Sequence, residues 1–330
     1  MSASLVRTAQ TLYFGKVPSR GDFVRSNTGA ALSHGLDEWL SRTMVLMAED
    51  THWKIAYDDA APVYFAILGM QSHAGLAGYL VGSRDASGRR FPFVMAASFE
   101  VPRPAEFAPH CPQALGAVWQ HLDASGRQAL DADDFAQVQE LLTARPMALD
   151  MHTDALRPAY TAFAQEQTLE RFERAVSSAE SPMSLRQTML ALGLLLRPVL
   201  AQGHTGSSKS LVLPLSEDPR ALVHALTLWT DLVSRFFKRT AAELALFITL
   251  HGQRPVLIVG FNGASPATLH SALVPAVCLA DNVIAANADW VEDCIDSDPG
   301  LRKLSNQLRD PSLSLASATD MFRDTFLGGP

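Results

Sequence analysis

Three apolar runs, "PVYFAILGM" (62–70), "LAGYLVGS" (76–83) and "FPFVMAASFEV" (91–101), sit so close together in the chain that their topology is nearly decided. Each is rich in aromatic and β-branched residues and bounded by Gly-rich or charged turns, which predicts three successive strands. Parallel neighbours need a crossover of about a dozen residues or more. The connections are shorter than that, so the strands pair antiparallel.

A stretch of this kind needs helices to cover it, and the flanking sequence supplies them. "ALSHGLDEWLSRTMVLMAED" (31–50) places Leu32, Leu36, Trp39, Leu40, Thr43 and Met47 at helical spacing. Downstream, Pro102, Pro104, Pro109 and Pro112 end the sheet pattern. From about Gln113 to Gly203 the periodicity is helical, with one stripe at Leu115, Val118, Trp119 and Leu122 and another at Leu185, Met189, Leu192 and Leu196.

Strand patterns return at "SLVLPLSED", "LALFITL" and "PVLIVGF", around a helix carrying Leu222, Leu226, Trp229, Val233 and Phe237. The expected fold is therefore α/β of the α+β kind: an N-terminal antiparallel sheet with helices, a helical section, and a second, smaller α/β unit. The corresponding divisions are 1–140, 141–204 and 205–330. The uncharged interval 255–280 is long enough to cross a bilayer. Its prolines, Asn262 and His270 predict strand, turn and helix instead.

Composition narrows the function classes. At 330 residues and 48% hydrophobic, the chain can bury a large core, and 18% charged residues fit an ordered protein. A formal charge of −7 argues against phosphate neutralisation and hence against nucleic acid as a partner. Cys111, Cys278 and Cys294 are odd in number and lack CxxC spacing, so neither a disulfide framework nor a thiolate metal site is expected. A reducing cytoplasm suits them. The first fifteen residues hold Arg7 but no apolar run of signal-peptide length, and no membrane insertion is expected.

Candidate chemistry is sparse. "GHTGSSKS", Gly203 to Ser210, approaches a phosphate-binding loop, with Lys209 and Ser210 in the last positions. Ser208 replaces the second glycine, and the helix precedes the loop instead of following it. A flexible connector explains the stretch better. No two histidines stand three or four apart, HExxH and GxSxG are absent, and no catalytic nucleophile, metal set or cofactor is indicated. "DWVEDCIDSD" would gather Asp289, Glu292, Asp293 and Asp296 on one helix face, either to attract a cation or simply to meet solvent. "DADD", Asp131 to Asp134, reads as a cap for the helix with Phe135, Val138 and Leu142.

"YFGKVPSRGDFVRSN" (13–27) is harder to explain by backbone needs alone. Pro18 presets a turn and Gly21 can take a left-handed conformation. Lys16, Arg20 and Arg25 around Asp22 make the segment cationic on an acidic chain, and Asp22 can cap its own loop or pair with an arginine.

Gly15, Lys16, Pro18, Gly21, Asp22, Phe23 and Val24 resemble the G-K-x-P-x-x-G-D-F-V signature of TagF proteins, accessory proteins of bacterial type VI secretion. "SRDASGRRFPF" is similar to that family's S-x-D-x-x-G-R-x-F-P element through Ser83, Asp85, Gly88, Arg89, Phe91 and Pro92. "LDEWL", with Trp39, resembles the D-x-W-L helix segment between them. The resemblance covers roughly residues 10 to 140.

It implies a non-enzymatic, cytoplasmic, post-translational repressor that binds the forkhead-associated scaffold protein Fha and counters activation by threonine phosphorylation. The N-terminal order of turn or strand, helix, three antiparallel strands and then helices also looks like a longin- or roadblock-type sandwich. On this reading Lys16, Arg20, Asp22, Arg25, Ser83, Asp85 and Arg89 form one partner surface. Gly15, Pro18, Gly21, Phe23, Trp39, Gly88, Phe91 and Pro92 shape the motif. The two loops must then meet in space. Two alternatives stand beside it: a nucleotide or phosphate binder using Gly203 to Ser210, and a structural adaptor whose partner surface lies in the C-terminal half.

Overall fold

The computed structural model describes residues 6–27, 29–142, 146–177, 182–203 and 209–328. Its strands are β1 (Val6–Gly15), β2 (Val24–Arg25), β3 (Val63–Gly69), β4 (Ala74–Val81), β5 (Phe93–Glu100), β6 (Met147–Asp150), β7 (Leu211–Pro214), β8 (Glu243–His251), β9 (Arg254–Gly260) and β10 (Val283–Ile284). All join one sheet in the order β10-β7-β9-β8-β3-β4-β5-β1-β2, with β6 also on β1. Pairing is antiparallel except between β10 and β7. The fold is mixed α and β, and the expected meander is β3-β4-β5.

The seam between the N-terminal strands and those after residue 205 is an unbroken ladder. β3 pairs with β8 from Tyr64 opposite Ile248 to Gly69 opposite Glu243. Helices cover both faces. On one side lie α1 (Ala30–Met47) and α6 (Pro266–Leu273), around Trp39, Phe65 and Phe247. On the other lie α2 (Cys111–Asp131), α3 (Thr153–Glu166), α4 (Leu185–Gln202), α5 (Pro219–Ser234) and α7 (Leu315–Leu327). β3 alternates Val63, Phe65 and Ile67 toward the first layer with Ala66 and Leu68 toward the second. Burial on both faces is why the strand reads as a continuous apolar run.

Three sequence readings need correction. The stretch 113–203 is not wholly helical: β6 interrupts it and pairs with the outer half of β1, from Val6 opposite Asp150 to Ala9 opposite Met147. Four residues are too short to carry a periodic signal. Leu32 belongs to the stripe by spacing but is 42% exposed, while its neighbour Ser33 is the residue that turns inward in the first turn of α1. The acidic run does not form one face, because its helix spans only Val291–Ile295 and leaves Asp289 and Asp296 outside. Asp298 caps the next helix, with Pro299 at its first position, which ends the acidic helix early. Glu292 is meanwhile committed to Arg186.

The capping expectation holds at Asp134, whose carboxylate accepts from Gln137 N–H. No helix of the described residues is long and apolar enough to cross a membrane. The interval 255–280 is strand, turn and helix.

Candidate functional site

The two charged loops meet because β1 and β5 are neighbours, with Gly15 opposite Phe93. Gly15 is required there. At φ +136° it sits so close to the second loop that a Cβ would lie 2.1 Å from the Pro92 carbonyl oxygen. The left-handed position is thus Gly15; Gly21 does not have positive φ. Gly21 is needed less for its conformation than for its carbonyl, which accepts from an Arg89 amino group at 2.6 Å. Pro18 begins the expected turn, closed by Arg20 N–H donating to Val17 at 3.2 Å.

Asp85 is the hub. Its carboxylate accepts from Lys16 Nζ at 2.8 Å, Ser87 N–H at 3.0 Å, Ser87 Oγ at 2.7 Å, Arg89 N–H at 3.0 Å and Arg89 Nε at 2.7 Å. Burial alone would raise this carboxyl, but the bonds from Lys16, Ser87 and Arg89 outweigh it and hold it far below the usual range. Gly88, at φ +81°, lets the loop turn back on that carboxylate. Ser83 is equally committed: its Oγ donates to the Lys16 carbonyl at 2.7 Å. Ala86 N–H donates to the Arg20 carbonyl at 3.0 Å, a further stitch between loops.

These contacts divide the nominated residues. Lys16, Ser83 and Asp85 are buried and face each other, so they cannot present their polar groups to a partner in this conformation. Arg20, Asp22, Arg25 and Arg89 stay exposed. Arg20 lies over the Phe135 ring at 4.1 Å. Asp22 accepts from Phe23 N–H at 2.8 Å, which answers its loop-capping alternative, while remaining at the surface. Among the described residues Arg25 has no hydrogen-bond or ion-pair partner for its side chain.

An aromatic cluster holds the loop from below. Phe23 stacks on Phe14 at 5.5 Å and meets Phe91 edge-on at 4.9 Å, with Lys16 Nζ 5.1 Å from its centroid. It still keeps 39% of its surface exposed. Beside it opens a cleft of about 450 Å³ lined by Arg20, Asp22, Phe23, Arg25, Asp37 and Phe135, among others. Trp39 lies elsewhere, buried between Phe65 and Phe247.

Two contributors were invisible in the sequence pattern. Tyr57 OH donates to the Ser83 carbonyl at 2.9 Å and accepts from Ser83 N–H at 2.8 Å; burial pushes its phenol up. Arg90 grips Asp58 through two bonds, at 2.8 and 2.5 Å, which anchors the end of the second loop. Tyr57 and Asp58 fall outside both signatures.

The phosphate-loop candidate fares differently. Residues 204–208 lie outside the described residues. Ser210 is buried, with its N–H on Asn282 and its hydroxyl 3.1 Å from Thr268 Oγ1. Cys111, Cys278 and Cys294 are free thiols.

Residues 12–145 match the TagF N-terminal domain family, described as type VI secretion system-associated. The matched stretch contains both loops, the aromatic cluster, Tyr57 and Trp39. No curated protein matches the sequence. Among solved structures, the chain is similar to the crystal structure of PA0076 from Pseudomonas aeruginosa PAO1. That match has 16% identity and a TM-score of 0.42, covering 80% of this chain and 94% of that one.

Proposed function

We propose that this protein is a non-enzymatic, cytoplasmic regulator of type VI secretion that represses the apparatus by docking on the forkhead-associated scaffold protein Fha. The TagF N-terminal domain supports the link to that apparatus. The observation that carries the docking site is the division of labour in the paired loops. An interior network around Asp85 locks their shape, while Arg20, Asp22, Phe23, Arg25 and Arg89 remain at the surface. A rigid loop pair loses little entropy on association, and its exposed charges set orientation and partner choice. Phe23 adds an apolar anchor of the kind that concentrates interface energy.

Charge reversal at the outer residues tests this without disturbing the hub. Arg25→Glu with Asp22→Lys should keep the wild-type melting curve, weaken Fha binding by about tenfold or more, and release secretion in cells. A folded variant that still binds and still represses moves the partner surface to the C-terminal half, as the adaptor reading has it.

A further inference from the structure

Beyond the matched domain, a second cleft of about 920 Å³ opens where the C-terminal ends of α4 and α5 meet α7. Arg235, Lys238, Arg239 and Arg323 line it, against the carboxylates of Asp320 and Asp324. None of these residues falls within 12–145.

The cleft stands on a buried polar layer. Asp231 is 2% exposed and holds both arginines: Arg235 Nε donates to it at 2.7 Å, and an Arg323 amino group also contacts it. A second Arg323 amino group donates to Asp320 at 3.0 Å. Fixing two guanidinium groups on one interior carboxylate orients them before any ligand arrives.

That layer is not saturated. Arg323 Nε is buried without a hydrogen-bond partner, as are Tyr160 OH, Thr230 Oγ1, Ser234 Oγ and Thr319 Oγ1. Thr230 and Ser234 flank Asp231 on α5, and Thr319 lies one turn before Arg323 on α7. Native interiors rarely leave so many polar atoms unpaired in one place, and those that do mark ions, waters or functional sites. Above it, the side chains of Lys238 and Arg239 are exposed and have no hydrogen-bond or ion-pair partner among the described residues.

We infer that this cleft binds a small organic diphosphate. Arg235, engaged with Asp231 only through its Nε, presents planar amino donors matched to phosphoryl oxygens, Arg323 beside it adds charge while held by Asp231 and Asp320, and Lys238 and Arg239 add positive charge at the mouth. Val199, Leu200, Phe236 and Leu327 supply apolar wall for the organic part. The volume is that of a small-molecule site. The competing account is that these cations only complement the C-terminal carbonyls of α4 and α5.

Titration calorimetry of the full chain with inorganic pyrophosphate at low ionic strength decides between them. Saturable binding is expected, weakened by about tenfold or more in Lys238→Ala/Arg239→Ala. Both residues are exposed, so the variant should melt as wild type does. Arg42→Ala/Arg103→Ala, at exposed arginines paired with Glu38 and Glu106 away from either cleft, removes the same charge elsewhere and should leave the affinity unchanged. Absence of saturable heat, or equal weakening in both double variants, overturns the inference and leaves the helix-end account.

Discussion

Lys16 and Asp85 show how a single pair can convert two surface-looking motifs into one interior joint. They are 69 positions apart and 2.8 Å from each other. Because the Asp85 carboxyl is held far below its unfolded value near 3.9, the unfolded chain takes up the proton first as the solution is acidified. The stability this group contributes is complete above about pH 5 and is lost as pH falls toward its folded value. Urea midpoints measured between pH 6 and about 3 should fall more steeply for the wild type than for Asp85→Asn, which has no carboxyl to titrate. Parallel pH profiles would remove Asp85 from its place as the hub. The residue types at this joint were legible, since lysine, aspartate and arginine at motif spacing announced a polar loop pair. Which charges turn inward was not legible. Burial depends on the register of β1 against β5, and nothing within either loop encodes it.

At the scale of elements, local chemistry predicted well wherever a short-range interaction decides the outcome. Asp134, read as a cap from its sequence, accepts from a backbone N–H in the first turn of its helix, and Asp218, Ser265 and Ser314, which the sequence reading did not single out, cap theirs in the same way. β1 escaped because "VRTAQTLYFG" mixes charge, threonine and alanine in its outer half, and becomes a strand only by pairing with β5 and β6. α1 illustrates the opposite limit: its stripe was readable, its partner was not. Trp39 touches Phe65 at 5.3 Å and Phe247 at 6.1 Å, so it fastens α1 across the β3–β8 seam. Trp39→Ala should destabilise the protein by about 3–5 kcal/mol, the range for emptying a large aromatic site. Trp39→Phe should cost much less, since Trp39 Nε1 is buried without a partner and its loss forfeits no hydrogen bond. Equal losses in denaturant titrations of the two variants would show that ring contact is not what fastens the helix.

The whole molecule is organised around the sheet that both halves share. Removing residues 205–330 would unpair β3 from Tyr64 to Gly69 and uncover Trp39 and Phe65 from Phe247. An exposed, apolar edge of that length invites pairing with another chain. The fragment 1–204 should therefore elute as self-associated species in size-exclusion chromatography. A monodisperse fragment with a cooperative melt would show that the N-terminal unit closes its own edge. Sequence alone determined the strands with strong composition, the helices with clear periodicity, the cap at Asp134, the turn at Pro18, and the residue types of the two signatures. Each of these rests on interactions between residues near in the chain or on the residue types themselves. Tertiary structure alone decided the β3–β8 seam, the inward turn of Lys16 and Asp85, and the exposure of Arg20, Asp22, Arg25 and Arg89. Those outcomes depend on which distant surfaces bury one another, and solvent exclusion is a property of the packed chain.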